Sequence, residues 1–309
     1  MNQAGIYRGR FAPSPTGPLH FGSLVAAVGS YLETRSRQGK WLVRIEDVDA
    51  QRVIKGAADD ILRTLEAFGL YWDEAVVYQS QRNTAYQEAI QTLRCNGWLY
   101  PCICSRQRIA ACARQGRDGF IYPGTCRTMT TALESDGYRH SSWRVRTQSQ
   151  IIQFDDMLRG HLRLDLQTEL GDFVLRRSDD VFAYQLAVVV DDAWQGITHV
   201  VRGADLLLST FRQLYLQQLL NYAAPVYCHL PLVLDAYGKK LSKQTRATPV
   251  SKTHPLPALV AALAFLGQDV SDVPQNNIHT FWQWAITNWQ RGKIQSGNDD
   301  FKCAPPTVL

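Results

Sequence analysis

The spacing of apolar residues predicts that the chain opens as strand, helix and strand. Ile6 to Phe11 are expected to form the first strand, which ends in a turn rich in proline and glycine. Apolar residues then recur at helical spacing from Ser23, which we predict as the N-cap of a helix. A second strand is predicted at Trp41–Ile45 and a second helix at Ala57–Leu70. This alternation is typical of an α/β fold with a doubly wound parallel sheet.

The second half of the chain repeats the alternation. The predicted elements are a strand at Phe182–Val190, a strand at Ile197–Arg202, a helix at Leu206–Leu220 and a strand at Leu230–Leu234. Helical spacing returns after Pro255. One more helix is predicted in an aromatic segment that carries Phe281, Trp282, Trp284 and Trp289. We therefore expect a short helical segment after the sheet.

Residues 97–137 interrupt this alternation with many turn residues and a cluster of cysteines. Four of the seven cysteines fall close together: Cys102, Cys104, Cys112 and Cys126. In a cytoplasmic chain, clustered cysteines indicate a metal site before disulfides. We interpret this region as part of an insertion into the sheet domain, with a candidate metal site.

Length and composition describe a soluble globular protein. At 309 residues, with 45% hydrophobic and 20% charged residues, the chain is long enough for about two domains. It has no apolar run of the ~18 residues that a membrane span needs and no apolar stretch at its N-terminus, so we expect a cytoplasmic protein without a membrane partner. The net charge of +5 permits nucleic-acid binding without requiring it, and the arginines between positions 106 and 146 are also typical of a solvated face.

The most informative segment is Arg10-Phe-Ala-Pro-Ser-Pro-Thr-Gly-Pro-Leu-His20-Phe-Gly22-Ser23. It places His20 and Gly22 where the first strand gives way to the first helix. A helix N-terminus carries partial positive charge that suits phosphates, Gly22 would let an adenine ring approach the backbone, and His20 can donate to phosphate oxygens. A short H-x-G pattern alone is more often an ordinary turn with a surface histidine.

A second candidate, Lys240-Leu-Ser242-Lys243, follows a predicted strand and a glycine turn. Paired lysines on a loop can neutralise a pyrophosphate leaving group, with Lys243 as the main point charge. For this tetrapeptide taken alone, a basic surface loop is the alternative.

Together the two segments resemble the HIGH and KMSKS signatures of class I aminoacyl-tRNA synthetases. Three further segments, Arg44-Ile-Glu46-Asp47-Val-Asp49, Tyr122-Pro-Gly-Thr-Cys-Arg127 and Val201-Arg202-Gly203, extend the resemblance to the glutamyl-tRNA synthetases over about residues 6–268. Glutaminyl-tRNA synthetases share that fold but usually carry a glutamate where this chain has Ala12-Pro13-Ser14, so the resemblance favours glutamate.

The resemblance implies a fold and a domain plan. The fold would be α/β, a Rossmann-type parallel-sheet catalytic domain with a zinc-containing insertion, a short helical C-terminal segment and no anticodon-binding domain. The two halves of the catalytic domain would be residues 1–94 and 181–250, the insertion subdomain 95–180, and the helical segment 251–309.

The resemblance also implies roles for individual residues. The glutamate-binding residues would be Arg10, Phe11, Ala12, Pro13, Ser14, Glu46, Tyr184 and Arg202. ATP, with Mg²⁺, would be bound by His20, Gly22, Ser23 and Lys243, and catalysis would rest on His20, Lys240 and Lys243. Glu46 would receive the substrate ammonium, and two arginines suit a substrate with two carboxylates. A structural salt bridge is the alternative for Glu46 and Arg202.

One structural zinc ion is the expected metal. The resemblance implies Cys102, Cys104, Tyr122 and Cys126 as its ligands, since thiolates bind zinc well and a tyrosine oxygen can fill the fourth position. Cys112 is a rival fourth ligand, and a reduced pair without metal is the alternative for Cys102-x-Cys104. The metal would fasten an insertion that has little core of its own.

The chain ends 41 residues after Gln268, fewer than the ~50 residues of a small domain. A conventional glutamyl-tRNA synthetase continues into an anticodon-binding domain, which we expect this chain to lack. A truncated branch of the family activates L-glutamate with ATP in the absence of tRNA and transfers it to the queuosine base in the anticodon of tRNA(Asp). We expect that activity, in a monomer. The rivals are a conventional synthetase without its anticodon domain, a non-catalytic RNA-binding relic, and a ligase that adenylates a small molecule or a protein.

Overall fold

The computed structural model describes residues 5–128, 141–234 and 248–295. Its helices are α1 Phe21–Arg35, α2 Ala57–Ala67, α3 Asn83–Cys95, α4 Arg106–Cys112, α5 Leu166–Glu169, α6 Tyr184–Trp194, α7 Leu207–Leu220, α8 Pro255–Phe265 and α9 Ile278–Asn288. Its strands are β1 Arg8–Phe11, β2 Lys40–Ile45, β3 Val77–Tyr78, β4 Leu99–Cys102, β5 Arg114–Gly116, β6 Gly119–Ile121, β7 Ser142–Val145, β8 Ile151–Asp156, β9 Gly160–Asp165, β10 Phe173–Arg176, β11 His199–Gly203 and β12 Val226–Leu230.

Two sheets of mostly parallel strands form the centre of the molecule. The first has the order β1–β2–β3, with all its strands parallel. The second has the order β11–β12–β8–β9, in which only β9 runs antiparallel to its neighbour. The sheets meet where the backbone N–H of Thr198 donates to the carbonyl of Arg8 at 3.0 Å. This arrangement confirms the predicted α/β fold with a parallel sheet.

Helices cover both faces of these sheets. Alternate residues along a strand point to opposite faces, so neighbouring residues should enter different cores. In β12, Tyr227 belongs to a core formed with α3, α6 and α7, whereas Cys228 belongs to a core formed with α1, α2, α8 and α9. Val200 and Val201 of β11 divide in the same way. The sheet is therefore doubly wound, as predicted.

The region predicted as an insertion carries structure of its own. It contributes an antiparallel sheet in the order β10–β7–β4 and the hairpin β5–β6. Strands β8 and β9 also precede residue 180, but they join the sheet of β11 and β12. The predicted domain division stays a prediction: residues 1–94, 95–180, 181–250 and 251–309. The second sheet contains strands from before and after residue 180.

The prediction of Ser23 as the first N-cap is wrong. Helix α1 begins at Phe21, and His20 is its N-cap, with Nδ1 accepting the backbone N–H of Ser23 at 3.3 Å. This is the bond that a capping side chain makes to the third residue of a helix. Histidine is an uncommon cap, so the composition of the segment pointed to the nearby serine instead.

Two strand predictions are also wrong. Phe182–Val190 was expected as a strand, but Tyr184–Trp194 form helix α6, which is buried continuously from Leu186 to Asp192. A helix that is buried all round shows no period of 3.6, so its apolar run resembles a strand. Leu230–Leu234 was also expected as a strand, but β12 ends at Leu230, where Pro231 has no N–H to continue the ladder.

The aromatic C-terminal segment packs against α1 and the end of α2. It forms α9, as predicted, and the indole N–H of Trp282 donates to the carbonyl of Phe68 at 2.8 Å. The indole N–H of Trp289 donates to Glu33 Oε2 at 2.8 Å, and Arg291 binds the other oxygen of Glu33 at 2.6 Å. Within the described ranges, no helix is both long enough and apolar enough to cross a membrane.

Candidate active site

A cavity of about 950 Å³ lies at the carboxyl ends of β1, β2, β11 and β12. Ligands of open α/β sheets bind at this edge, in the crevice where neighbouring connections diverge. The cavity is lined by every predicted glutamate- or ATP-binding residue of the described chain, namely Arg10, Phe11, Ala12, Pro13, Ser14, His20, Gly22, Ser23, Glu46, Tyr184 and Arg202. Lys240 and Lys243 lie outside the described residues.

The floor of the cavity holds a buried network of two arginines and two carboxylates. Arg10 of β1 binds Asp192 of α6 through Nε at 3.2 Å and Nη2 at 3.4 Å. Arg44 of β2 binds the same carboxylate through Nη1 at 2.8 Å and reaches Glu46 through Nη2 at 3.4 Å. Buried charges are tolerated only when they are paired, so the carboxylate of Asp192 is what allows both arginines to lie here.

Glu46 is the acidic group that faces the cavity from the end of β2. Its backbone N–H donates to the carbonyl of Pro13 at 3.0 Å, which fixes the two segments against each other. Burial raises the pKa of Glu46 to about 6, although Arg44 and Arg10 oppose the shift. A cation bound against this carboxylate would favour its ionised form, so Glu46 is suited to receive an ammonium group.

Arg202 forms the opposite wall, from β11. Its Nη1 donates to the hydroxyl of Tyr184 at 3.3 Å, and its Nη2 donates to Thr210 Oγ1 at 2.8 Å and to the carbonyl of Leu206 at 3.4 Å. Its Nε lies 3.2 Å from Nε2 of His229. Arg202 is 5% exposed and its guanidinium is held on several sides, so its orientation is set by the protein.

His229 and Asp156 lie behind Arg202 in the core. Nδ1 of His229 is 2.6 Å from Asp156 Oδ2, and both side chains are fully buried. Burial lowers the pKa of His229 to about 4, with the positive charge of Arg202 adding to the effect against the opposing influence of Asp156. The imidazole is therefore neutral at pH 7. Burial raises the pKa of Asp156, but its contacts with His229 and with the backbone N–H groups of Leu158 and Arg159 together hold that pKa below its usual value.

The N-terminus of α1 opens onto the same cavity. Because Nδ1 of His20 accepts the N–H of Ser23, the proton of the neutral ring is on Nε2, which lies 3.1 Å from Ser23 Oγ. The segment that follows Lys240–Lys243 contacts the chain beside His20, since the N–H of Val250 donates to the carbonyl of Leu19 at 3.0 Å. The site thus places the imidazole of His20 beside the N-terminus of a helix, a combination that suits phosphate oxygens.

Several residues of the site were not identified from the sequence. Asp192, His229 and Asp156 contact the predicted arginines from elements far away in the chain, so no local spacing marks them. A weak signal existed for Asp192, because it follows an apolar run and a buried carboxylate needs a cationic partner. Thr16, Arg52 and Asp205 also line the cavity.

The cysteine cluster forms a second candidate site, in the insertion. The sulfurs of Cys102, Cys104 and Cys126 lie within 4.8 Å of one another. The hydroxyl of Tyr122 is 3.4 Å from Cys102 Sγ and 3.5 Å from Cys104 Sγ. Three thiols and a phenol oxygen converge here, a donor set that fits a tetrahedral zinc ion. Cys112 is exposed on α4 and bonds to the carbonyl of Arg108 at 3.2 Å, outside this cluster.

A buried carboxylate fastens the chain immediately after the cysteine cluster. Asp172 binds Arg127, the neighbour of Cys126, at 2.6 and 2.7 Å. The same carboxylate accepts the backbone N–H and the hydroxyl of Thr147, each at 2.8 Å, and the hydroxyl of Tyr100 at 2.5 Å. The loop is therefore anchored to the neighbouring strands independently of the sulfurs.

Comparisons with known proteins agree with this geometry. Residues 7–264 match the family model described as tRNA synthetases class I (E and Q), catalytic domain. A glutamyl-Q tRNA(Asp) synthetase of Chromobacterium violaceum is 52% identical, over 94% of this chain and 96% of its own length. A protein of the same name from Escherichia coli O6:H1 is 49% identical, over 92% and 89%.

A solved structure of a glutamate tRNA ligase shares the fold. A glutamate tRNA ligase from Elizabethkingia meningosepticum, in complex with its amino acid, superimposes with a TM-score of 0.75 at 25% identity and covers 94% of this chain. The chain spans 66% of the length of that ligase. On the family match and the identities of about one half, the chain belongs to the class I glutamyl and glutaminyl tRNA synthetase family, among the glutamyl-Q tRNA(Asp) synthetases.

Proposed function

We propose that this protein activates L-glutamate with ATP in the cavity and transfers the glutamyl group to the queuosine base in the anticodon of tRNA(Asp). The name of its relatives supports this function. The observation that carries the activation step is the charge pattern of the cavity: Arg10, Arg202 and Glu46 face one space.

Free glutamate matches that pattern group by group. It has two carboxylates and one ammonium, and the predicted amino-acid pocket offers the guanidinium groups of Arg10 and Arg202 and the carboxylate of Glu46, while Arg52 and Asp205 line the rest of the cavity. A guanidinium binds a carboxylate through two parallel N–H bonds, which fixes orientation as well as charge. The charge of Arg10 is shared with Asp192, whereas the described contacts of Arg202 are all to neutral groups. Arg202 is thus the stronger selector for a negatively charged group.

The activation step needs the two substrates side by side. An oxygen of the glutamate α-carboxylate would attack the α-phosphorus of ATP, and the bond to pyrophosphate would break, leaving glutamyl-adenylate. The Nε2–H of His20 and the first amides of α1 would stabilise the charge that builds on the phosphate oxygens. Mg²⁺ on ATP and the predicted Lys240 and Lys243 would neutralise the departing pyrophosphate.

The transfer step needs an RNA hydroxyl. A hydroxyl on the cyclopentene ring of queuosine would attack the activated carbonyl carbon and AMP would leave, so an ester bond replaces the mixed anhydride. The protein forms no covalent bond in this scheme, and it acts by positioning and by electrostatic stabilisation.

Zinc would have a structural role away from this chemistry. Cys102, Cys104, Cys126 and Tyr122 would hold it, and bound zinc would supply cross-links within the loop. Arg144 Nε lies 3.3 Å from Cys102 Sγ and would offset part of the thiolate charge.

The test combines pyrophosphate exchange with transfer of labelled glutamate. Purified protein is assayed for glutamate-dependent ATP–pyrophosphate exchange without RNA, and then for transfer to tRNA(Asp) with queuosine, tRNA(Asp) without it, and tRNA(Glu). Exchange with label only on queuosine-containing tRNA(Asp) is the expected result. Label on tRNA(Glu) would instead identify a conventional synthetase activity, and the absence of exchange and label would refute the enzyme function.

Two buried arginines provide a matched pair of variants for this assay. Arg202→Gln removes the guanidinium of the cavity wall and should abolish glutamate-dependent exchange. Arg212→Gln removes a similarly buried guanidinium on α7, which pairs with Asp118 outside the cavity. This variant should retain glutamate-dependent exchange. Equal losses in both variants would mean that the effect is on folding and not on the glutamate pocket.

A further inference from the structure

Resting on the proposed function, we infer that His229 and Asp156 are positioning residues that select glutamate, by holding Arg202 in place through a neutral acceptor. His229 accepts from Arg202 Nε at 3.2 Å, and Asp156 lies 2.6 Å behind it. Neither residue lines the cavity, so their effect on the substrate passes through Arg202.

The hydrogen bonds determine the tautomer of His229. Asp156 Oδ1 accepts the backbone N–H groups of Leu158 and Arg159, each at 3.0 Å, so this side chain acts as a carboxylate acceptor. Its Oδ2 then takes the proton on Nδ1 of His229. In a neutral imidazole the other nitrogen is an acceptor, so Nε2 can accept from Arg202 Nε at 3.2 Å and from the hydroxyl of Thr210 at 3.0 Å. The negative charge of Asp156 thus makes Nε2 of His229 the acceptor in its hydrogen bond with Arg202.

The same arrangement preserves the charge of Arg202. A carboxylate placed directly on the guanidinium, as Asp192 is on Arg10, would share its charge with the protein instead of the substrate. The imidazole keeps Asp156 at a distance while still fixing the guanidinium plane. Thr210 Oγ1 and Tyr184 Oη complete a set of neutral acceptors around Arg202. A substrate carboxylate is then the ion that compensates this charge, and the amide of glutamine is not.

The contacts predict a specific set of variant phenotypes. His229→Leu removes the acceptor. Asp156→Asn keeps an oxygen for the backbone amides but presents an N–H to Nδ1, which moves the ring proton to Nε2 and points it at a donor of Arg202. Both variants should raise the KM for glutamate about 10- to 100-fold, the effect of losing one hydrogen bond to a charged group. Both should lower the preference for glutamate over glutamine by a similar factor, with kcat and the KM for ATP changed less than about threefold.

A conservative variant and a control separate positioning from folding. In His229→Gln the side-chain oxygen can still accept from Arg202, so the KM should stay within about threefold of wild type. Tyr215→Phe removes a buried hydroxyl of α7 that donates to the carbonyl of Arg146 at 2.8 Å and does not touch Arg202, so it controls for loss of a core hydrogen bond. Melting temperatures of all four variants show whether each is folded at the assay temperature.

The experiment has three informative results. Raised KM in His229→Leu and Asp156→Asn with recovery in His229→Gln supports the inference. Exchange by the wild type with unchanged KM in His229→Leu and Asp156→Asn overturns the inference and leaves the proposed function intact. A wild type without glutamate-dependent exchange overturns both.

The position of the ring proton in the wild-type protein tests the inference independently of the kinetic constants. In ¹⁵N-histidine NMR spectra at pH 7, His229 should show a protonated Nδ1 and an unprotonated Nε2, assigned by comparison with His229→Gln. A ring protonated on Nε2 would overturn the inference.

Discussion

The charge network on the floor of the cavity makes a strong prediction for Asp192→Asn. This carboxylate accepts from Arg10 at 3.2 and 3.4 Å and from Arg44 at 2.8 Å, and its side chain is 7% exposed. The substitution keeps the volume of the side chain but removes its charge. Two guanidinium groups, 4% and 0% exposed, would then share the single remaining carboxylate of Glu46.

The expected loss of stability is large. Removing one partner of a buried ion pair costs about 3–5 kcal/mol, because the remaining charge stays buried without compensation. At about 2 °C for each kcal/mol in a chain of this size, the melting temperature should fall by about 6–10 °C. Burial raises the pKa of Asp192, but Arg10 and Arg44 outweigh it and hold that pKa below its ordinary value. The stabilisation is therefore present above about pH 4 and is lost as the pH falls through the folded-state pKa, so the difference between variant and wild type should narrow in acid.

The neighbouring residue provides the control. Asp191 is also fully buried on α6, but its partners are Gln79 at 2.9 Å, Arg82 at 2.6 Å and Tyr86 at 2.6 Å, on the side away from the strands. Asp191→Asn should destabilise the protein by a similar amount and leave the KM for glutamate unchanged. Asp192→Asn should raise that KM about 10-fold or more, because Arg10 loses its fixed orientation. An unchanged KM in Asp192→Asn, measured in pyrophosphate exchange well below its melting temperature, would refute the role given to this network.

Three other predictions concern pH, metal and the C-terminal segment. Burial raises the pKa of Glu46 to about 6, so ionising this carboxylate destabilises the folded protein. The destabilisation is fully present above about pH 6 and absent below about pH 4.5. Glutamate binding near pH 6 should release a proton, because the bound ammonium favours the ionised carboxylate. Calorimetry in two buffers should detect this release in the wild type, with none in Glu46→Gln. Purified protein should contain about one zinc per chain by elemental analysis, and Cys104→Ser should lose it while Cys112→Ser keeps it. Trp289→Phe removes the 2.8 Å hydrogen bond to Glu33. It should lower the free energy of unfolding, measured in urea, by about 1.5–3 kcal/mol. The KM for glutamate should not change, since Glu33 lies at the far end of α1 from the cavity. Equal metal contents in the two cysteine variants, or a raised KM in Trp289→Phe, would contradict these two expectations.

The sequence predicted the residues that line the cavity better than those that support it. Arg10, Glu46, Tyr184 and Arg202 were predicted from the resemblance to the glutamyl-tRNA synthetases, and the parallel strands bring Arg10, Glu46 and Arg202 to one edge of the sheet. The supporting residues lack such a signature. His229 and Asp156 are 73 positions apart: His229 lies alone among apolar and aromatic residues of β12, and Asp156 is one of two adjacent aspartates at the end of β8.

The errors in the predicted elements also arise because contacts between distant parts of the chain decide the local conformation. Val188, Val189 and Val190 favour a strand locally, but the packing of α6 between the sheet and α7 decides its conformation. His20 was correctly placed at the start of α1, but its capping bond depends on backbone geometry that residue types do not specify.

The double anchoring of the cysteine loop bears on how the protein behaves when metal is scarce. Asp172 holds Arg127 one residue beyond Cys126, so the loop keeps an attachment that chelators do not reach. With zinc bound as proposed, its loss should open the loop locally, while β4 and β7 stay paired. The metal ligands and the Asp172–Arg127 ion pair would each hold the loop in the absence of the other. Removing both should therefore lower the stability by more than the sum of the two separate losses. A cell short of zinc would then retain a folded enzyme with a loosened insertion, which zinc could restore without refolding of the chain.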